Sequence, residues 1–273
     1  MKRKKWLVGL LAVVLVLAVG VTLALVGNLS PFSSDEEGAQ AQEQVSIEQA
    51  MESVRQFEND SLPDLELVRI PDRLHSAIEL RSGDTTYGVN PETGIVELVI
   101  YGDNIGGTEV LLPMEEAEAV AATFARRHYQ AFPSLTLIES ELLDHGASKE
   151  YLFTWIEIID GVPTPNKVFV SVNSATGKVI FYVGKYQSIE PFASPSVSDE
   201  KAKDTARDVY KQETGVKDLK VGEPALEVIF VGGKQHLAWK VEVREVVAPD
   251  EIEMGAYLYI DACTGTVLQV FGF

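Results

Sequence analysis

Residues able to do acid–base, nucleophilic or metal chemistry are sparse and scattered in this chain of 273 residues. The four histidines, His75, His128, His145 and His236, lie far apart in sequence. A zinc peptidase places two histidines one helical turn apart with a glutamate between them, and no such pair exists. The Gly-x-Ser-x-Gly elbow that exposes a nucleophilic serine is also missing. Cys263 is the sole cysteine, so an intramolecular disulfide is excluded and a free thiol or an intermolecular pair is left. As a nucleophile it would sit in a turn where two related turns carry Glu92 and Ala175. The acidic clusters lack the spacing of a calcium loop. "GDNIGGTEV" (Gly102–Val110) follows a strand pattern but opens no helix, so it is not read as a phosphate loop. Trp155 and Trp239 hold comparable strand positions and suit sheet packing. The expectation is a protein without catalytic residues, cofactor or metal.

What does recur is a turn. "YGVNPETGIVEL", "VSVNSATGKVIF" and "YLYIDACTGTVL" each place Asn or Asp, two variable residues and Thr-Gly between alternating apolar segments. Asn90, Asn173 and Asp261 can each accept a hydrogen bond from the N–H two residues on, which starts a turn. Pro91 suits the position after the first. Gly94, Gly177 and Gly265 supply a left-handed residue, and Thr93, Thr176 and Thr264 can bond back to the Asx residue. These nine residues are read as structural hairpin markers rather than a ligand site.

Each turn ends a segment of similar order. "VSIEQAMESVRQF" offers Ser46 and Gln49 as a capping box, with Ile47, Ala50, Met51 and Val54 on one face. "PMEEAEAVAATFARRHYQAF" places Pro113 in a first turn beside Glu115 and Glu116, with Ala117, Val120, Ala121, Phe124 and His128 on one face. "SDEKAKDTARDVYKQETG" offers Ser198 as cap, Ala202, Ala206, Val209 and Tyr210 as stripe, and Gly215 as stop. Strand pairs follow the helices, turning at Gly83-Asp84, at a loop with two prolines in "IIDGVPTPNK", and at Gly232-Gly233. A helix then covers one face of a short antiparallel meander.

The chain opens "MKRKK", followed by Trp6–Gly27 without a charge. At 1.5 Å per residue this run spans roughly 33 Å, enough for a hydrocarbon core of about 30 Å. It is longer than a cleavable signal, and the Ala39-Gln40-Ala41 site lies well past it, so an uncleaved anchor is favoured over a cleaved, secreted form. The basic tip predicts a single-pass protein with its N-terminus cytoplasmic and the remainder extracellular. No cysteine stands directly after the apolar run, so lipoprotein anchoring is not expected. "NLSPFSSDEEGAQAQEQ" reads as a flexible stalk. The net charge is −18, and four of the 23 Lys and Arg lie at residues 2–5. So acidic an outer part repels nucleic acid and anionic lipid. "YQSIEPFASPSVS" reads as a semi-stiff, proline-bearing linker.

The order helix, antiparallel strands, then "VNPETGIV", "VNSATGKV" or "IDACTGTV" resembles the PepSY superfamily. The third segment, "HLAWKVEV" with "YLYIDACTGTVL", is similar to the end of thermolysin-type propeptides. The second, "TWIEIIDGVPTPNKVFVSVNSATGKVIFY", resembles repeats of multi-domain envelope proteins. The first is the most degenerate. The resemblance spans roughly Val45–Phe273 and implies an α+β fold: an N-terminal transmembrane helix, then tandem PepSY-like units, each a helix packed on an antiparallel β-sheet. The implied boundaries are 1–27 for tip and anchor, 28–44 for the stalk, and 45–110, 111–190 and 191–273 for the three units. The resemblance also implies a non-catalytic protein that binds and modulates an envelope or secreted peptidase. No peptidase sequence follows Phe273, so such regulation is expected in trans. The alternative is a structural or sensory ectodomain for a wall component or small ligand.

Overall fold

The computed structural model describes residues 45–59, 64–71, 76–246 and 254–273. The expected membrane segment at 6–27, the stalk at 28–44 and His75 lie outside the described residues. Among those described, no helix is long and apolar enough to cross a membrane.

The fold is α+β with antiparallel sheets. Helix α1 (Ile47–Phe57) is followed by strands β1 (Glu66–Arg69), β2 (Ile78–Ser82), β3 (Thr85–Val89) and β4 (Val96–Tyr101). Helix α2 (Met114–His128) precedes β5 (Leu135–Asp144), β6 (Lys149–Ile159), β7 (Val162–Asn173) and β8 (Val179–Lys185). Helix α3 (Asp199–Thr214) precedes β9 (Leu219–Val221), β10 (Ala225–Val231), β11 (Lys234–Glu245), β12 (Gly255–Asp261) and β13 (Val267–Gly272). The chain forms two compact units. The first runs through Glu157 and resumes at Asn166–Tyr186; the second takes Ile158–Pro165 and Gln187–Phe273.

The three helices are set by their caps and by one shared face. Ser46 and Gln49 complete the capping box: the Ser46 hydroxyl accepts from the Gln49 N–H, and the Gln49 side chain accepts from the Ser46 N–H. Ser198 caps α3 through the Lys201 N–H, and Gly215 ends it in the left-handed conformation. Pro113 is itself the N-cap of α2, with extended ψ of 150°, rather than a residue of its first turn. A residue there needs no helical ψ, and its missing N–H leaves no donor unpaired. Counted from each cap, Ala50, Ala117 and Ala202 are equivalent, as are Val54, Ala121 and Ala206, and all six are fully buried. Small side chains at these two places let each helix lie close against its sheet.

Three separate helix-on-sheet units were expected, but the first two meanders share one sheet. Its order is β1-β2-β3-β4-β8-β7-β6-β5. The join is the antiparallel pair β4–β8, with Leu98 opposite Val183, Val99 opposite Tyr182 and Ile100 opposite Phe181. Val99 and Tyr182 are each the ninth residue after their turn's asparagine. The pairing is therefore self-complementary, and a pseudo-twofold axis passes between equivalent residues. Phe57 and Phe124, equivalent places on α1 and α2, also meet each other, edge to face at 6.1 Å. Two last strands with open edges gain a short ladder of three facing pairs, and Val99 and Tyr182 enter one buried core with both helices.

The second unit keeps its own sheet, ordered β10-β11-β12-β13, with β9 pairing β11. Ala202, Ala206 and Tyr210 of α3 close its core over Val241, Leu258 and Ile260. The proline-bearing loop expected near Pro163 is instead a tight turn at Asp160-Gly161, both with positive φ, and both prolines lie within β7. They are tolerated because β8 pairs with β7 only from Lys167 onward. The proline-bearing linker docks within the second unit. Gln235 bonds both the Glu190 N–H and its carbonyl, and Ile189 and Phe192 pack beside Val228, Leu237 and Ala262.

Candidate functional site

The three repeated turns share one hydrogen-bond pattern. The Asn90 Oδ1 accepts from Glu92 N at 2.9 Å and Thr93 N at 3.1 Å. The Asn173 Oδ1 accepts from Ala175 N and Thr176 N at 2.9 Å each. The Asp261 Oδ1 accepts from Cys263 N at 2.9 Å and Thr264 N at 2.8 Å. Gly94, Gly177 and Gly265 each donate to the carbonyl of their own Asx residue, with φ of +72°, +70° and +78°. The hydroxyls of Thr93, Thr176 and Thr264 accept from the N–H groups of Ile95, Lys178 and Thr266. Each turn is followed by a register shift at the same place, opposite Val89, Val172 and Ile260.

These turns also hold the helices, a role their sequence did not disclose. The residue after each Asx offers its carbonyl to the chain just before a helix cap: Pro91 to Val45 N, Ser174 to Leu112 N, and Ala262 to Val197 N. A Cβ added to Gly94, Gly177 or Gly265 would lie 3.4, 3.4 or 3.6 Å from the side chain of Val45, Leu112 or Val197. The glycine recurs because all three turns need a positive φ, and it lies in van der Waals reach of the residue that leads into the helix. Each turn clamps its own helix N-terminus to the sheet.

The remaining Asx atom explains why two turns use Asn and one uses Asp. The Asn90 Nδ2 donates to Glu97 Oε1 at 2.8 Å. The Asn173 Nδ2 donates to the carbonyls of Asn104 at 2.9 Å and Gly106 at 2.5 Å. The Asp261 Oδ2 instead meets His236 Nδ1 at 2.9 Å. Acceptor neighbours require an amide, and a ring N–H favours a carboxylate. Burial works to raise the Asp261 carboxyl, but the His236 bond and the N–H groups of Thr264 and Cys263 outweigh it, and its pKa lies below the usual value. Cys263 is exposed at the tip of this turn. "GDNIGGTEV" is packed on the second turn rather than open to a phosphate. Asn104 Nδ2 reaches the Val179 carbonyl, and Gly107 bridges Ser148.

The other histidines take fixed places. His145 Nε2 lies 3.1 Å from Glu150 Oε1, whose second oxygen accepts from the Ser171 hydroxyl at 3.0 Å. The carboxylate stands between serine and histidine, so the imidazole cannot take the hydroxyl proton as a general base does. Glu150 carried no sequence signal; only the β6–β7 pairing brings it to Ser171. His128 stacks on Phe57 at 3.8 Å, and burial, then the charge of Arg127, pushes its pKa down to about 4. Its ring is therefore neutral at pH 7. Trp155 is buried against Phe132, and Trp239 donates its ring N–H to the Val197 carbonyl.

Beside His128 an open cleft of about 330 Å³ is lined by Ser53, Gln56, Asn59, Gly94, Arg127 and His128, among others. One cation, a neutral imidazole and two amide side chains could hold a small polar ligand by hydrogen bonds. Among the described residues, no group of three His, Cys, Asp or Glu could hold a metal ion.

The family described as "YcdB, YcdC repeated domain" matches residues 88–186, from β3 to just past β8. No curated protein matches the chain. Among solved structures, it is similar to the Bacillus megaterium YpeB C-terminal domain at 20% identity and a TM-score of 0.45, over 84% of this chain and 98% of that one. It is also similar to a Clostridium difficile 630 protein described as a lipoprotein, at 14% identity and a TM-score of 0.23, over 61% of this chain and 96% of that one.

Proposed function

We propose that this chain is a non-catalytic, extracytoplasmic PepSY-type protein, anchored through residues 6–27, that binds and modulates an envelope or secreted peptidase in trans. The observation that carries the reading is the threefold recurrence of one module, a helix whose N-terminus is clamped by an Asx-x-x-Thr-Gly turn in the final hairpin of its meander. The match of residues 88–186 to a repeated domain supports it. In such modules the helices and turns maintain the scaffold, and binding falls to sheet edges and loops. The test is capture of partners from the envelope fraction with the full chain, followed by a peptidase assay. Enrichment of a peptidase whose rate changes on adding the chain is the expected result.

The cleft beside His128 favours a second reading, a sensory or structural ectodomain for a small polar ligand or wall fragment. Recovery of wall polymer or a small ligand without a peptidase would select it.

A further inference from the structure

The chain contains three equivalent last strands, β4, β8 and β13, and the first two pair with each other. Val99 and Tyr182 face one another across the pseudo-twofold axis, each ninth after its turn's asparagine. The ninth residue after Asp261 is Val270, in β13. Strand β13 ends its sheet, and no described strand pairs with its outer edge. Val270 is 49% exposed there.

Among the described residues, the strands at the other sheet ends carry charged side chains and β13 carries none. Strand β1 is short and bears Glu66 and Arg69, β5 bears Glu139, Glu141 and Asp144, and β10 bears Glu227. Charged side chains and short length are the usual defences against edge pairing. From Ala262 to Phe273 there is no acidic residue and no Lys, Arg or His, in a chain of net charge −18. On α3, Val209 stands at the place of Phe57 and Phe124, which meet at the first axis, and it is only partly buried.

We propose that β13 pairs antiparallel with β13 of a second copy of this chain, about a twofold axis at Val270. The geometry repeats the β4–β8 join: Val270 faces Val270, Gln269 faces Phe271 of the other copy, and the two Val209 side chains approach over the joined sheets. A twofold contact of this kind uses one patch twice and closes at a dimer.

The test uses the full chain in detergent micelles, with Cys263→Ser as background. Facing residues of an antiparallel pair lie about 4.5–5.5 Å apart, within disulfide reach. Val270→Cys is expected to give a covalent dimer on mild oxidation. Thr266→Cys is expected to give none, because at about 3.4 Å per residue its mate would be roughly 27 Å away. Val270→Lys should convert a sedimenting dimer to monomer, with its circular dichroism unchanged because the site is half exposed. Three results would overturn the proposal: cross-linking of Thr266→Cys as readily as of Val270→Cys, a dimer that survives Val270→Lys, or a monomeric parent in which the thiol introduced by Val270→Cys resists alkylation because the chain covers its own edge.

Discussion

Replacing Asn173 by Asp tests whether the second turn is held by its amide. The Oδ1 bonds to Ala175 and Thr176 survive the change, since a carboxylate accepts as an amide does. The Nδ2 bonds to the Asn104 and Gly106 carbonyls do not survive, and an oxygen that cannot donate is left in their place at a position only 1% exposed. A buried polar group left without its partner costs about 1–3 kcal/mol. Two such carbonyls, now facing a carboxylate oxygen, set the expected loss at about 3 kcal/mol. The introduced carboxyl is held above its unfolded pKa of about 3.9, since burial and two carbonyl dipoles disfavour its charged form. The penalty is therefore full above the folded pKa and shrinks as pH falls through it. Urea unfolding followed by Trp155 fluorescence, at neutral pH and in acid, measures both. A neutral-pH change below about 0.5 kcal/mol, well under the cost of one orphaned carbonyl, or a loss that does not shrink in acid, would refute the assignment.

Alanine at Gly94, Gly177 or Gly265 forces a side chain into positive φ against the residue leading into the helix, and each should cost about 1–2 kcal/mol by urea unfolding. His128 should titrate near 4 by imidazole NMR. Because its folded pKa is depressed, the stability it contributes is full above the unfolded value of about 6.5 and is lost as pH falls towards 4. His128→Phe should flatten that window, and an imidazole titrating near the unperturbed value of about 6.5 would contradict the buried stack. Asp261 is depressed too, so its contribution is present above about 3.9 and is lost as pH falls below that. Asp261→Asn should weaken the acid dependence read from Trp239 fluorescence.

Local structure was legible in the sequence because local chemistry decides it. Ser46 with Gln49, Ser198 with Gly215, and the Asx-x-x-Thr-Gly turns satisfy backbone groups only a few residues away, and the structure places their bonds there. The alanine stripes of the helices were visible because a 3.6-residue period is written in the chain itself. The prolines near Pro163 misled for a related reason: whether a strand tolerates them depends on which neighbour pairs beside it, which no local window contains. The union of the first two meanders, the reach of each turn to its helix cap, the meeting of Glu150 with Ser171, and the choice of Asn at the second turn and Asp at the third were settled by residues distant in the chain. Hydrophobic alternation states which face of a strand is buried but not which strand lies beside it. That choice belongs to backbone edges, alike in every sequence, and packing in three dimensions alone decides it.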